Sequence, residues 1–201
     1  MTMHDHSVEL RRLDAVDLLT AAKLCACAMR RNPVHLHVFG ADPARLDRRL
    51  YRFFAAVLPY VQRKGLLWGA YADGRLIGVM GALPPGACAP SAVEMLRTAP
   101  RLVMSPLALL RLHHWLDTWR RNDLHAPHWH LGPLAVESSH QGRGVGSRLL
   151  HHCFSHTAGD GTALYLETDT PGNVRFYEGF GFSVIATLPV LGAETWLMRR
   201  D

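Results

Sequence analysis

The chain has 201 residues, 48% of them hydrophobic and 19% charged, which is enough apolar mass for a core and too little charge for a disordered tail. No run reaches the roughly 18 unbroken apolar residues of a membrane span, since Arg111 interrupts the longest candidate, Leu102 to Leu112. The 22 basic and 17 acidic residues give a net charge of +5, with arginine pairs scattered along the chain, so neither nucleic acid nor membrane is expected as a partner.

The polar start MTMHDHSVELRR does not read as a signal peptide, and a cytoplasmic location is expected. Cys25, Cys27, Cys88 and Cys153 contain no CxxC pair, so neither a disulfide framework nor a metal site is expected.

Val8 to Leu13 alternates as a short strand does. A helix is expected from Asp14, with Asp14 and Asp17 in its first turn and apolar residues at Val16, Leu19, Ala22, Leu24 and Ala28. Asn32-Pro33 is read as its stop. Asp42-Pro43 opens a second helix that turns Leu46, Leu50, Phe53, Phe54, Val57 and Leu58 to the core. Leu66–Tyr71 and Leu76–Leu83 flank Ala72-Asp73-Gly74-Arg75, a strong hairpin signal.

Pro84-Pro85-Gly86 ends that hairpin. From about 86 to 127 the period is helical, carried by Val93, Leu96, Leu107, Leu110, Leu112, Trp115, Leu116 and Trp119, with Pro100 and Pro106 as punctuation. This reads as a helical insertion that covers part of the core or borders a pocket.

Strand Trp129–Val136, helix Gly144–Thr157 and strand Thr162–Thr168 make a βαβ unit, whose strands must be parallel. Asn173–Phe180 reads as a short helix, and Phe182–Leu188 with Glu194–Arg199 as a last strand pair. The expected fold is an α/β, mixed sheet with helices on both faces, in a single domain spanning 1–201.

The segment Leu134-Ala135-Val136 through Gln141-Gly142-Arg143-Gly144-Val145-Gly146-Ser147 carries the chemistry. A strand ends, and alternate glycines lead into a helix N-terminus, which favours an anion. A P-loop is excluded, because the segment has no lysine. A dinucleotide fingerprint would use Gly142 and Gly144 but meets Ser147 at its third position, with Glu167 as the acid downstream. A glycine turn without a ligand stays open on these residues alone.

Gln141-x-x-Gly144-x-Gly146, followed by Asn173-x-x-Phe176-Tyr177-x-x-x-Gly181-Phe182, resembles the GNAT superfamily of N-acetyltransferases. The phrases Trp129-His-Leu-Gly-Pro-Leu-Ala-Val, His140-Gln-Gly-Arg-Gly-Val-Gly-Ser, Leu166-Glu-Thr-Asp and Glu194-Thr-Trp-Leu-Met-Arg are similar to its puromycin N-acetyltransferase branch.

The resemblance implies a mostly antiparallel sheet whose central parallel pair splays apart, and acetyl-CoA as acetyl donor. It places the pyrophosphate on Gln141 to Ser147 and pantetheine on the strand Leu134-Ala135-Val136. Asn173 either caps its helix or bonds the cofactor, and Phe176 packs beside the cofactor site. It also makes Tyr177 the general acid. Glu167, at the end of the second parallel strand, is the candidate base, with His130 a weaker one. Gly132-Pro133 fits a splayed or bulged strand.

His35, His37 and Phe39 lie where the family builds acceptor pockets. A small primary amine is the expected acceptor. A module that binds CoA without turnover, or an enzyme acting on a protein terminus or lysine, are the alternatives. The oligomeric state stays open, a homodimer being one arrangement.

Overall fold

The computed structural model describes residues 8–88, 90–157, 159 and 161–201. Strands β1 (Glu9–Arg12), β2 (Leu66–Ala72), β3 (Arg75–Leu83), β4 (His128–Val136), β5 (Ala163–Thr168), β6 (Ser183–Val190) and β7 (Ala193–Arg200) form one sheet. Its order is β1-β2-β3-β4-β5-β7-β6, and every neighbouring pair is antiparallel except β4–β5. The parallel pair is central, as the βαβ reading requires. No helix among the described residues is long and apolar enough to cross a membrane.

Helices α1 (Leu18–Ala28), α2 (Pro33–Phe39), α3 (Pro43–Lys64), α4 (Ala92–Thr98) and α5 (Pro106–Asn122) precede β4, and α6 (Val145–Thr157) and α7 (Pro171–Glu178) follow it. One core packs α1, α2, α3 and α5 over Leu67, Val79 and Ala135. The other packs α6 and α7 over Met80, Leu131, Leu164 and Leu166. Both faces of the sheet are therefore covered. Alternation along β5 then turns Tyr165 and Glu167 away from Leu164 and Leu166, toward the α1–α5 side.

Asn32-Pro33 ends one helix and also starts another. The Asn32 side chain accepts from the His35 backbone N–H at 3.0 Å and Pro33 occupies the first turn of α2. Asp42-Pro43 uses the same chemistry, with Asp42 accepting from the Arg45 N–H at 2.9 Å. Asp14 opens a 3-10 turn, Ala15–Asp17, before α1 proper. The last short helix begins two residues earlier than Asn173, at Pro171.

The 86–127 segment forms α4 and α5, capped by Ser91 and Ser105. Trp115 of α5 is buried against His35 and Phe53, so the insertion seals the core over α2 and α3. Arg49 and Arg52 of α3 brace the α4–α5 connection, through the Ser105 hydroxyl at 3.3 Å and the Val103 carbonyl at 2.7 Å.

His35 and Phe39 are buried core residues, whereas His37 is exposed. Rings of Phe39, Phe53, Phe54 and Trp115 surround His35, and its Nδ1–H donates to the Met29 carbonyl at 3.1 Å. Burial lowers its pKa from 6.5 to about 4.

A group with a lowered native pKa takes its proton first in the unfolded chain. Stability is then full above pH 6.5 and is lost as the pH falls toward 4, by roughly 3 kcal/mol in all. Urea unfolding of wild type and His35→Gln should show the wild type losing this much more stability across that range. Parallel curves would show that His35 takes no part in acid unfolding.

Candidate active site

β4 and β5 are joined only at their beginnings, with His128 opposite Ala163, Trp129 opposite Leu164 and His130 opposite Tyr165. Beyond these, β4 stays with β3 through Val136, while β5 stays with β7 through Thr168. A gap opens between them. The Gly132-Pro133 bond is cis and lies at the parting, where the β3–β4 register shifts. A residue without an N–H is tolerated at such a bulge.

The Glu137 N–H donates to the Ile77 carbonyl at 2.8 Å. Hydrogen-bonded pairs alternate along antiparallel strands, so Ala135 also turns its N–H and C=O to β3. Leu134 and Val136 turn theirs into the gap. The Val136 carbonyl is taken by the Gln141 side chain, which donates to it at 2.9 Å. Gln141 thus closes the loop onto its strand.

After a 3-10 turn, Ser138–His140, the loop runs through Gly142 (φ 72) and Gly144 (φ 79) into α6 at Val145. Side-chain-bearing residues rarely hold that backbone, so both glycines are conformational requirements. Their Cα positions also face open space, leaving the first N–H groups of α6 approachable.

A Cβ at Gly146 would lie 3.7 Å from Val136 and 3.8 Å from Phe176, so strand, loop and α7 converge there. Ser147 is half-buried in the first turn of α6, and the exposed Arg143 makes no ion pair with a described residue.

On α7, the Tyr177 ring packs on Phe176 (5.2 Å between centroids) and Phe182 (5.7 Å). Burial pushes its hydroxyl pKa up, which keeps the proton on oxygen at neutral pH. That hydroxyl forms no hydrogen bond to a described residue. Asn173 is exposed inside the first turn of α7, and Thr170 holds the cap position. The capping role expected as one option for Asn173 therefore does not occur.

On the other face, the Glu167 side chain is only 2% exposed, and its Oε2 lies 2.9 Å from His130 Nε2. Its Oε1 is buried without a partner. Burial disfavours charge on His130, but Glu167 and then Cys88 outweigh it and hold the imidazole well above its ordinary pKa.

His130 is thus the partner of Glu167, a link that a chain with thirteen histidines hides. Asp169 follows, buried, accepting from the Thr195 hydroxyl at 2.6 Å and the Asn32 amide at 2.8 Å. Burial raises its pKa despite both bonds. Asn32 therefore caps α2 and fixes the end of β5 at once.

Cys88, Asp123 and His128 adjoin His130 on the same side. His128 Nε2 lies 3.0 Å from Asp123 Oδ1 and 3.7 Å from Cys88 Sγ, while its Nδ1 faces the Ala126 carbonyl at 2.9 Å. No sequence motif unites these four, because they come from separate segments.

The model of the acetyltransferase (GNAT) family matches residues 34–182. The chain belongs to that family. Its fold is that of solved acetyltransferases. A Corynebacterium glutamicum structure described as histone acetyltransferase HPA2 and related acetyltransferase superimposes with a TM-score of 0.74 at 22% identity, covering 97% of this chain and 96% of that one. Arabidopsis thaliana Naa50, in complex with the bisubstrate analogue CoA-Ac-MVNAL, gives a TM-score of 0.54 at 14% identity over 97% of this chain and 99% of that one. A Brucella melitensis GNAT family acetyltransferase in complex with acetyl-CoA gives 0.51 at 16% identity, over 96% and 87%.

In sequence, 72 residues are 32% identical to the N-alpha-acetyltransferase RimI of Mycobacterium tuberculosis, spanning 34% of this chain and 46% of that protein. A Mycobacterium leprae protein, ML0378, is 40% identical over 74 residues, which is 20% of its length.

Proposed function

We propose that the chain transfers the acetyl group of acetyl-CoA to a primary amine of a small molecule, by direct attack in a ternary complex. The observation that carries this reading is the gap between β4 and β5, with donors and acceptors of Leu134 and Val136 on its β4 edge and the buried, half-partnered Glu167 on β5. Pantetheine amides would bond the Leu134 N–H and C=O and the Val136 N–H. Ala135, whose groups serve β3, would act as a spacer. Gly142 to Ser147 would cradle the pyrophosphate on the N–H groups that begin α6, with Arg143, unpaired among the described residues, as a cation beside it.

An ammonium entering the gap would give the Glu167 Oε1 the partner it lacks and lose its proton to Glu167. Tyr177 would return a proton to the departing thiolate. Resemblance to the puromycin branch falls on β4, the glycine loop, β5 and β7, which supports the cofactor side more than any acceptor. A cytoplasmic setting belongs to the same reading.

RimI and Naa50 favour a second acceptor, a protein N-terminus. Thiol release from acetyl-CoA, measured across small amines and peptides with free N-termini, separates the two. The expected result is a small amine whose kcat/KM exceeds that of every peptide at least about tenfold. The reverse ranking would assign the peptide terminus. Acetyl-CoA binding without turnover on any acceptor would leave a CoA-binding module.

A further inference from the structure

We propose that Cys88, Asp123, His128 and His130 form a closed, four-ligand site for a zinc-class divalent cation. One ligand atom from each lies within 4.8 Å of every other. In a tetrahedral zinc site, bond lengths of about 2.0 to 2.3 Å put neighbouring ligand atoms about 3.3 to 3.6 Å apart. The 3.0 Å and 3.7 Å separations of His128 Nε2 from Asp123 and Cys88 bracket that range. Thiolate, carboxylate and two neutral imidazoles match a dication in charge and in its preference for N, S and O donors.

The histidine tautomers point the same way. A carbonyl only accepts, so His128 Nδ1 carries the proton that it gives to Ala126. Its Nε2 faces the Asp123 carboxylate at 3.0 Å, a contact that a second ring proton closes in the metal-free protein and that a bound cation would take over. His130 gives Nε2–H to Glu167, which leaves Nδ1 buried and without a partner. Metal-bound histidines keep this pattern, one nitrogen on the metal and the other donating to a carbonyl or carboxylate.

The two histidines are two apart on β4 and so share a face. A Cys-His-Asp triad would place the carboxylate and the thiol on opposite ring nitrogens. On His128 both face Nε2, so a triad through that histidine fails.

Cys88 and Asp123 lie at the two ends of the α4–α5 insertion. A bound ion would staple both ends to the start of β4, and Tyr60 already pins the chain beside Cys88 by donating to the Ala87 carbonyl at 2.6 Å. The site leaves no open coordination position. Its effect on chemistry would be to orient His130, and through it Glu167. On binding, the Cys88 thiol proton and the second ring proton of each imidazole that carries one pass to solvent.

The test is titration of chelator-treated full-length protein with Co2+, read by thiolate-to-cobalt charge transfer, and with Zn2+, read by elemental analysis and thermal unfolding. One equivalent should bind, with the charge-transfer band. A hundredfold excess of Zn2+ over its dissociation constant should raise Tm by about 5 to 10 °C. Cys88→Ser should abolish the band and, like His128→Ala, weaken binding at least about a hundredfold. His152→Ala should change nothing, although His152 and His156 form the other close histidine pair, 4.5 Å apart on α6. Absence of the band in folded wild-type protein, or loss of binding in His152→Ala alone, would overturn the site.

Discussion

Tyr177→Phe should lower kcat by about a hundredfold to ten-thousandfold, with acetyl-CoA affinity nearly unchanged. The substitution removes one oxygen and leaves the ring against Phe176 and Phe182. Since the hydroxyl has no hydrogen bond to a described residue, deleting it orphans no buried protein group. Burial keeps that hydroxyl protonated at neutral pH, which is the state a proton donor to the departing thiolate would need.

Steady-state rates, with acetyl-CoA affinity from calorimetry, separate the outcomes. A fall below about tenfold would mean that water protonates the thiolate, whose own pKa is near 8.5 by analogy with cysteine. Loss of acetyl-CoA binding would make the tyrosine a packing residue.

Glu167→Gln should cost a similar factor in kcat by a different route. The amide keeps the size and one hydrogen-bonding oxygen but cannot take the proton that the entering ammonium must lose before it attacks. With His130 at 2.9 Å and a side chain 2% exposed, no bulk water stands ready to replace it. Acetyl-CoA affinity should hold, because Glu167 faces the α1–α5 side and not the glycine loop. A variant within about tenfold of wild type would sink the assignment of Glu167 as base. A drop in acetyl-CoA affinity of the same size as the drop in kcat would instead give it a structural role.

Elements that repeat a local rule were legible in the sequence. Asp73-Gly74 fixed the β2–β3 hairpin, and βα alternation fixed the parallel pair. The glycine loop and Tyr177 came from motif and resemblance, since each sits within a few residues of its neighbours in the site. α2 does not follow from Asn32-Pro33 read as a stop, because Asx-Pro equally begins a helix.

What depends on distant segments did not show. Glu167 stood out, but its partner His130 needed the β4–β5 register. Asn32 reaching Asp169 spans most of the chain. Cys88, Asp123 and His128 meet only once the insertion has folded back on itself, and no CxxC spacing marks them. The helical insertion was visible as a period, while the surface it seals, around Trp115 and His35, was not.

Where β4 and β5 part, the sheet has a window, with Tyr177 on the α6–α7 side and Glu167 on the other. On the proposed chemistry the acetyl group crosses that window from one half of the molecule to the other. Donor and acceptor then arrive through separate doors, and neither blocks the other's exit. CoA can depart on its side before or after the acetylated amine leaves on the opposite one.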